Sequence, residues 1–403
     1  MSLVLNTNVN SMVAQNSLTS SGTQLASALQ QLSTGLRVNT AADDAAGYAI
    51  AQGMTSQVNG LNQAARNASD GVSLTQTASG AMTEITNDLQ TMRDLAVQSL
   101  NATNSANDRQ DLNAQFTQLA ADINNVAANT QFNGVNLLDG SFQGADFQIG
   151  ANAGQIISVS SISSASTSKV GNYYTTAATA GTYAGTAADA GTTASFDIAI
   201  TSGTTTSTVT TGAITLTGNQ TTDLNNVVSA INQSLGSSAG IVATVNAAGT
   251  GINLSTATGA TQTAAITMNA ASTTTQTVGG LGLDASYSLG STGGTAQNLS
   301  NTNVTTVDNS NLVLVSVDNA LQQLATSSAQ LGAYQNRFQA AITGLNTTAT
   351  NLSNAKSSIV DTNYAQATSA LSKAQILQQA GTAMVAQANT IPQNILTLLQ
   401  KLP

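Results

Sequence analysis

The stretch that decides the fold is 324–359, which reads LATSSAQLGAYQNRFQAAITGLNTTATNLSNAKSSI. An apolar residue returns at every seventh position, and the six are Leu324, Leu331, Phe338, Leu345, Leu352 and Ile359. Because seven-residue spacing keeps side chains on one stripe of a helix, that stripe must pack against another helix. We therefore predict one long helix over 318–360, ~60 Å long at a rise of ~1.5 Å per residue.

The same spacing recurs at both ends of the chain and is missing from its middle. The N-terminal set is Leu18, Leu25 and Leu32 with Leu29 and Leu36 interleaved, and the C-terminal set is Leu377, Met384, Ile391 and Leu398 with Ile395 interleaved. The simplest arrangement pairs the terminal helices into a coiled-coil-like rod and leaves the middle as an insertion. An isolated pair so rich in Gln, Asn, Ser and Ala buries too little surface, so we expect these ten residues to pack between molecules.

Two further helices are predicted upstream, over about 48–100 and around 112–126. The second carries Leu112, Phe116, Leu119 and Ile123 at alternating steps of four and three, which is typical of an amphipathic helix. We expect these four residues to form the core of a helical rod together with Leu324, Leu331, Phe338, Leu345 and Leu352. An Asn-Gly turn at 133–134 and apolar alternation around Phe147, Ile149 and Ile157 predict short strands beside it.

The composition excludes several classes of function. The chain has no Cys, His or Trp, which removes thiol nucleophiles, imidazole bases and most transition-metal sites. Its net charge of −9 argues against nucleic-acid binding, and no apolar run reaches the ~20 residues of a membrane span. Residues 1–6 lack a basic, apolar leader, so secretion would need a route other than Sec. We expect a non-enzyme without cofactor or metal.

The region from about 165 to 300 shifts to Thr, Ser, Gly and Ala, the composition of a disordered linker. Apolar alternation at 196–200, 214–216, 241–245 and 252–254 favours strands instead, and Thr222–Asp223 is a candidate cap for a helix that begins at Leu224. We therefore predict a ββαββ unit at about 195–257, with loops or weak strands over 165–190 and 255–300.

The predicted fold is mainly α with an inserted β-rich region. Three domains are expected: a terminal-helix domain from 1–43 plus 361–403, a helical rod domain with short hairpins from 44–165 plus 305–360, and an outer domain over 166–304.

Four motifs stand near the two ends of the chain: LSKAQILQQAG at 371–381, LSTGLRVN at 32–39, DDAAG at 43–47 and QFNG at 131–134. With these motifs both ends resemble bacterial flagellin, and the middle is similar to the flagellin hook IN motif over about 195–257. The resemblance implies a secreted, extracellular subunit of a helical filament, exported through the flagellar type III channel. It also implies partners: other copies of the chain, hook-associated junction and cap proteins, and an export chaperone at the C-terminal helix.

The resemblance further implies host flagellin receptors as possible partners. Residues 30–51 resemble the segment detected in plants, and 90–98 resemble the patch seen by the animal receptor. Arg93 and Leu95 match that patch, whereas Thr91 and Gln115 stand where charged residues are usual.

Other interpretations remain open at this point. A hook–filament junction protein shares similar terminal helices, and an adhesin or enzyme could be built on a helical stalk. Asp43 and Asp44 are a possible carboxylate pair, but adjacent residues do not share a helix face, which favours a connector or cap. The glycines at 279–282 lack the Lys-Ser/Thr of a phosphate loop.

Overall fold

The computed structural model describes residues 8–176, 190–202, 205–235, 241–245, 250–256, 262–268, 286–289 and 294–400. The glycines at 279–282 and much of the predicted loops over 165–190 and 255–300 lie outside these ranges. Six α-helices fall within them: α1 (Val9–Thr34), α2 (Ala45–Ser99), α3 (Ala106–Asn129), α4 (Gln220–Leu235), α5 (Val307–Val360) and α6 (Tyr364–Gln400). A short 3-10 helix, Leu299–Asn301, precedes α5.

Fourteen strands occupy the described part between α3 and α5, and every registered pairing among them is antiparallel. They are β1 (Gln131–Phe132), β2 (Val135–Asn136), β3 (Gly144–Gln148), β4 (Ile156–Ser160), β5 (Tyr173–Thr176), β6 (Thr193–Ala194), β7 (Phe196–Ser202), β8 (Thr205–Thr210), β9 (Ile214–Thr215), β10 (Ile241–Val245), β11 (Ile252–Thr256), β12 (Gln262–Met268), β13 (Ser286–Leu289) and β14 (Gly294–Gln297). These strands form two four-stranded sheets, in the orders β10-β11-β5-β14 and β13-β12-β7-β8, and three separate two-stranded ribbons. The predicted fold class, mainly α with an inserted β-rich region, is confirmed.

The chain divides into two compact units. The first comprises 1–69, 148–157 and 339–403, and the second comprises 70–147 and 158–338. The boundaries therefore fall within the long helices α2 and α5, whereas the three predicted domains were separated at the helix ends. Helical periodicity runs unbroken through both boundaries, so it carries no signal for them.

In the second unit α2 and α5 run antiparallel. Arg93 Nε lies 2.8 Å from Asp318 Oδ1, and the buried Ser310 hydroxyl donates to Ser99 Oγ over 3.0 Å. Further along, the Phe338 ring lies against Gly71, where an added Cβ would come within 2.6 Å of Cζ. Three contacts spaced along the pair fix its register.

The helical core of the second unit is built from large apolar side chains of three helices. Those at most 8% exposed include Met82, Ile85, Leu89 and Met92 of α2, Leu112, Phe116 and Ile123 of α3, and Leu324, Leu331 and Phe338 of α5. Three side chains that we expected in this core are only half-buried: Leu119, Leu345 and Leu352. The last two follow the boundary at 338/339 and belong to the first unit, so the core stripe of α5 ends at Phe338.

Arg109 closes the end of α2. Its guanidinium donates to the carbonyl oxygens of Ser99, Asn104 and Asn101 over 2.9, 2.8 and 3.3 Å. A planar cation that satisfies orphan carbonyls at a helix C-terminus also opposes the helix dipole. A residue in the first turn of α3 therefore holds the polar turn that follows α2.

The β-rich part has the element order β7-β8-β9-α4-β10-β11. The strands and helix of the predicted ββαββ unit correspond to β7, β9, α4, β10 and β11, and β8 is a further strand that the alternation did not predict. One face of α4 is buried with both sheets: Leu224, Val227, Val228, Ile231 and Leu235 cluster with Phe196, Ile198, Ile252, Leu254 and Ile266.

Asp223 does not cap α4 as expected. The helix begins at Gln220, and Asn219 accepts the Thr222 backbone N–H in the capping position. The fully buried Asp223 carboxylate instead accepts from Thr217 N, at 2.7 Å, and Gly218 N, at 3.0 Å. These bonds hold the preceding turn against the helix.

Candidate assembly surface

The terminal helices α1 and α6 lie antiparallel within the first unit. Ser11 Oγ donates to Asn389 Oδ1 over 2.9 Å, and Asn8 Nδ2 donates to the Ala388 carbonyl over the same distance. At the other end an isolated antiparallel bridge joins Leu36 to Asp361. Both ends of the pair are thus anchored by polar contacts.

The side of α6 that faces α1 is made of small residues. Ala367, Ala374 and Ala388 are 4%, 2% and 6% exposed, and Gly381 completes the seven-residue spacing. A Cβ added at Gly381 would lie 3.2 Å from Leu18 Cδ1 and 3.7 Å from Leu18 Cα. The two backbones therefore approach closely at this point.

The large apolar stripe of α6 points away from that seam. Leu377 is 40% exposed, Met384 is 63% exposed and the neighbouring Ile376 is 65% exposed. The predicted residues Ile391, Ile395 and Leu398 lie in α6, but their side chains are outside the described part. The described large side chains of this stripe are available to another molecule.

The predicted α1 residues fall into two groups. Leu18, Leu25, Leu32 and Leu36 are half-buried, while Leu29 is 50% exposed. Val9, Met12 and Val13 near the start of α1 are each more than half exposed. Hence α1 too keeps apolar surface outside the α1–α6 seam.

An open groove of about 550 Å³ runs between the two helices. One wall is Val13, Ala14 and Ser17 of α1, the other is Leu377 and Met384 of α6, and Gly381 also lines the groove. Its walls are predominantly apolar. Charge does not interrupt the surface, because the sequence of α1 holds no Asp, Glu, Lys or Arg and that of α6 holds only Lys373.

The connector after α1 is bonded to the junction of α5 and α6. Gly35 ends α1 in the left-handed region at φ 69°, and its carbonyl accepts from Thr362 N over 2.9 Å. Arg37 N donates to the Val360 carbonyl over 2.6 Å, and its guanidinium donates to the Ile359 carbonyl. These bonds set where α1 and α6 begin their pairing.

The two adjacent carboxylates of the connector have structural partners. Asp43 accepts from the backbone N–H groups of Thr40 and Asn39 over 2.9 and 3.0 Å, and these bonds lower its pKa. Asp44 accepts from Gly47 N over 2.9 Å at the start of α2. The pair serves a turn and a helix cap, which is the role that the sequence favoured.

The residues of the predicted receptor patch lie in the second unit. Arg93 is held by Asp318, and this hydrogen bond raises the pKa of the guanidinium. Leu95 is only 8% exposed and packs in the helical core, so it presents little surface to a receptor. Val97, on the same helix, is 48% exposed.

Within the described ranges, no three carboxylates gather closely enough to hold a metal ion. None of the helices in those ranges combines the length and apolarity that a membrane crossing requires.

The small-residue seam of α6 was missed by the sequence analysis. A search for large apolar heptads selects Leu377 and Met384, although Gly381 and its neighbouring alanines keep the same spacing. The available signal was the run of Ala and Gly at seven-residue intervals, since small residues allow two helix axes to come close.

Comparison with known proteins finds family matches at both ends of the chain. The sequence profile of the bacterial flagellin N-terminal helical region matches residues 5–143, and that of the C-terminal helical region matches 314–399. Together they cover more than half of the chain.

Full-length relatives extend this likeness. Over 99% of this chain and all of each relative, the identity is 34% with the B-type flagellin of Pseudomonas aeruginosa, 36% with flagellin B of Vibrio anguillarum and 34% with a flagellin of Salmonella typhimurium. A solved structure of FliC from Burkholderia pseudomallei is 29% identical and covers 66% of this chain and 99% of its own, with a TM-score of 0.37. That score is too low to support an argument about the fold.

Long paired terminal helices that flank a β-rich insertion, with large apolar side chains exposed along α6, are typical of a structural protein. The two profile matches and the full-length relatives identify which one: the chain belongs to the bacterial flagellin family. It is a structural subunit of the bacterial flagellar filament, the assembly that drives swimming motility.

Proposed function

We propose that the α1–α6 pair is the element through which subunits join, and that the exposed stripe of α6 packs on neighbouring copies. The observation that carries this proposal is the exposure of Leu377 and Met384 beside a groove whose walls are largely apolar. Large contiguous apolar surface on a soluble chain usually marks an interaction site. A second copy supplies the same uncharged, apolar helices, so the contact needs no charge complementarity.

Export and assembly would then share one property of these helices. The α1–α6 seam buries mainly Ala, Gly and Ser with half-buried leucines, which gives a free pair little stability. In this proposal α1 and α6 are largely unstructured in the free subunit, which suits passage through the flagellar type III channel to the cell exterior. They become helical on assembly, and burial between subunits offsets the ordering entropy of roughly 1–2 kcal/mol per residue.

We also propose the further partners that membership of the flagellin family suggests. Junction and cap proteins at the two ends of the filament would contact the same terminal helices, and an export chaperone would cover α6 before assembly. A host receptor that contacts the patch at 90–98 would use Arg93 and the exposed Val97 rather than the buried Leu95, and it would compete with Asp318 for the guanidinium. The hook IN-like motif over about 195–257 stays a prediction, and no partner is proposed for it.

Met384→Asp tests the assembly proposal. Because Met384 is 63% exposed, the substitution should leave the melting curve of the monomer unchanged. In the filament it would bury an unpaired carboxylate, and desolvation of such a charge is costly. We expect no filaments from Met384→Asp in seeded, high-salt polymerisation, and normal filaments from the matched Met384→Leu. Normal assembly of the aspartate variant would exclude this stripe from the interface.

A further inference from the structure

Gly381 occupies the point where the seam and the groove coincide. It lies opposite Leu18 on the α1 side and also lines the open groove beside Leu377 and Met384. The position 3.2 Å from Leu18 Cδ1 that a Cβ would take is tighter than ordinary van der Waals contact. A side chain at this place would therefore push against α1.

Contacts on both sides of Gly381 hold the antiparallel register of α1 and α6. Ser11 meets Asn389, Leu18 meets Gly381 and Leu36 meets Asp361, so the antiparallel alignment continues in step along both helices. The fixed ends prevent the helices from sliding past one another. A side chain added at Gly381, between these ends, would therefore push the axes of α1 and α6 apart.

We propose that Gly381 is a positioning residue for filament assembly: its missing side chain sets the spacing between α1 and α6, and thereby the shape of the groove between them. The inference rests on the proposed function of this surface. It adds that the spacing of the seam, and not only the exposed stripe, determines whether a second copy can dock. Gly381 acts through α1 and touches the partner copy only as part of the groove.

The proposal explains a glycine in the interior of a long helix. Glycine has a lower helix propensity than alanine, so its replacement should favour α6 taken alone. Gly22 in α1 provides the matched control, because an added Cβ there would meet nothing within 4 Å. Replacing either glycine raises helix propensity, but only a side chain at Gly381 would press against the opposite helix.

The first experiment compares critical concentrations for polymerisation. We expect Gly381→Val to raise the critical concentration at least about tenfold, as overpacking of a tight contact does, and Gly381→Ala to raise it less. Gly22→Val should remain within about twofold of the wild-type chain. Leu18→Ala combined with Gly381→Val should restore most of the loss, since the smaller side chain makes room for the added one. Equal effects at Gly22 and Gly381, or no rescue, would overturn the proposal.

The second experiment reads the seam without using filament yield. The natural chain has no cysteine, so Ser11→Cys with Asn389→Cys provides a single thiol pair at a contact of 2.9 Å. In assembled subunits, separated from free ones by sedimentation, its intrachain disulfide should form several-fold more slowly when Gly381→Val is added, and at the original rate when Leu18→Ala is also present. Unchanged cross-linking per assembled Gly381→Val subunit overturns the positioning role even if fewer filaments form. Failure of the proposed assembly surface is a separate result, because normal filaments from Met384→Asp would reveal it whatever the Gly381 variants do.

Discussion

Phe338 of α5 is enclosed on several sides by other side chains and by backbone. Its ring has no exposed surface, stands edge-on to Phe147 with ring centroids 5.2 Å apart, and lies against Gly71 of α2. Aromatic rings cannot bend away from an intruding atom as a flexible chain end can. The packing of the Phe338 ring therefore requires a residue without a Cβ at position 71.

Gly71→Ala should destabilise the subunit although it favours the helix. The added Cβ would come within 2.6 Å of the Phe338 ring, and we expect a net loss of ~1–3 kcal/mol in the free energy of unfolding. Gly80→Ala, in the same helix with nothing within 4 Å of its added Cβ, should gain ~0.5–1 kcal/mol. Urea denaturation of both variants measures the difference. A gain at both positions would mean that Phe338 can move aside.

Leu331 and Leu345 share one heptad stripe but differ in burial. Leu331 is 2% exposed within the second unit, whereas Leu345 is half-buried within the first. We expect Leu331→Ala to cost ~2–5 kcal/mol of monomer stability, and Leu345→Ala to cost clearly less because fewer contacts are lost. Equal losses in chemical denaturation would show that both leucines belong to one monomer core.

Asp308 and Asp43 should give opposite dependences of stability on pH. Burial is the main cause that raises the pKa of Asp308, whereas backbone N–H groups of Thr40 and Asn39 lower the pKa of Asp43. A raised folded pKa gives stability that is present below the unfolded value of about 3.9 and is lost as pH rises through the folded value. A lowered folded pKa gives stability that is present above the unfolded value and is lost as pH falls through the folded value.

The two substitutions to asparagine test this sign. Relative to the wild-type chain, Asp308→Asn should become progressively more stable as pH rises from about 3 to 7, the range that includes the titration of unfolded Asp. Asp43→Asn should become relatively less stable over the same range. Urea denaturation at a series of pH values measures both differences, and parallel slopes for the two variants would contradict the assignments.

At the scale of elements, seven-residue spacing predicts the positions of the helices well. It predicts less well which neighbour each helix face contacts. Helix α5 ends at Val360, where the predicted long helix also ends, and the Asn-Gly turn forms with Asn133 at φ 51° and Gly134 at φ 80°. The seam of α6 keeps the same seven-residue spacing with Ala and Gly, whereas the prediction was based on the large side chains Leu377 and Met384. Periodicity identifies an apolar stripe on a helix. It does not identify whether that stripe packs against the same chain or against another one.

The terminal helices should gain their protection on assembly. Backbone amides of α1 and of 377–398 are expected to exchange within seconds in the free subunit and to be protected in filaments, because little large apolar surface holds the isolated pair together. Amides of α2 and α3 should be protected in both states. Hydrogen exchange followed by mass spectrometry measures both. Strong protection of 377–398 before assembly would rule out a disorder-to-order mechanism.

At the scale of the whole molecule, the two compact units differ in the large apolar side chains that they bury or expose. The second unit holds the large buried side chains of α2, α3 and α5, together with the sheets packed on α4. The first unit contains the α1–α6 pair, which carries the exposed Leu377 and Met384. In the proposed assembly, a subunit folds through the second unit and keeps the α1–α6 pair of the first unit available for its neighbours.

The most direct test of this account is the reactivity of a thiol placed at residue 384 by Met384→Cys in the otherwise cysteine-free chain. The rate of modification by a maleimide is measured on free subunits and on filaments, with Val97→Cys, at a 48% exposed position of α2, as a second site. The account predicts rapid modification at 384 in the free subunit and at least about tenfold slower modification in the filament, as expected for a side chain sealed in an interface. Equal rates at 384 in the two states would contradict it, because the exposed stripe of α6 would then remain open to solvent after assembly.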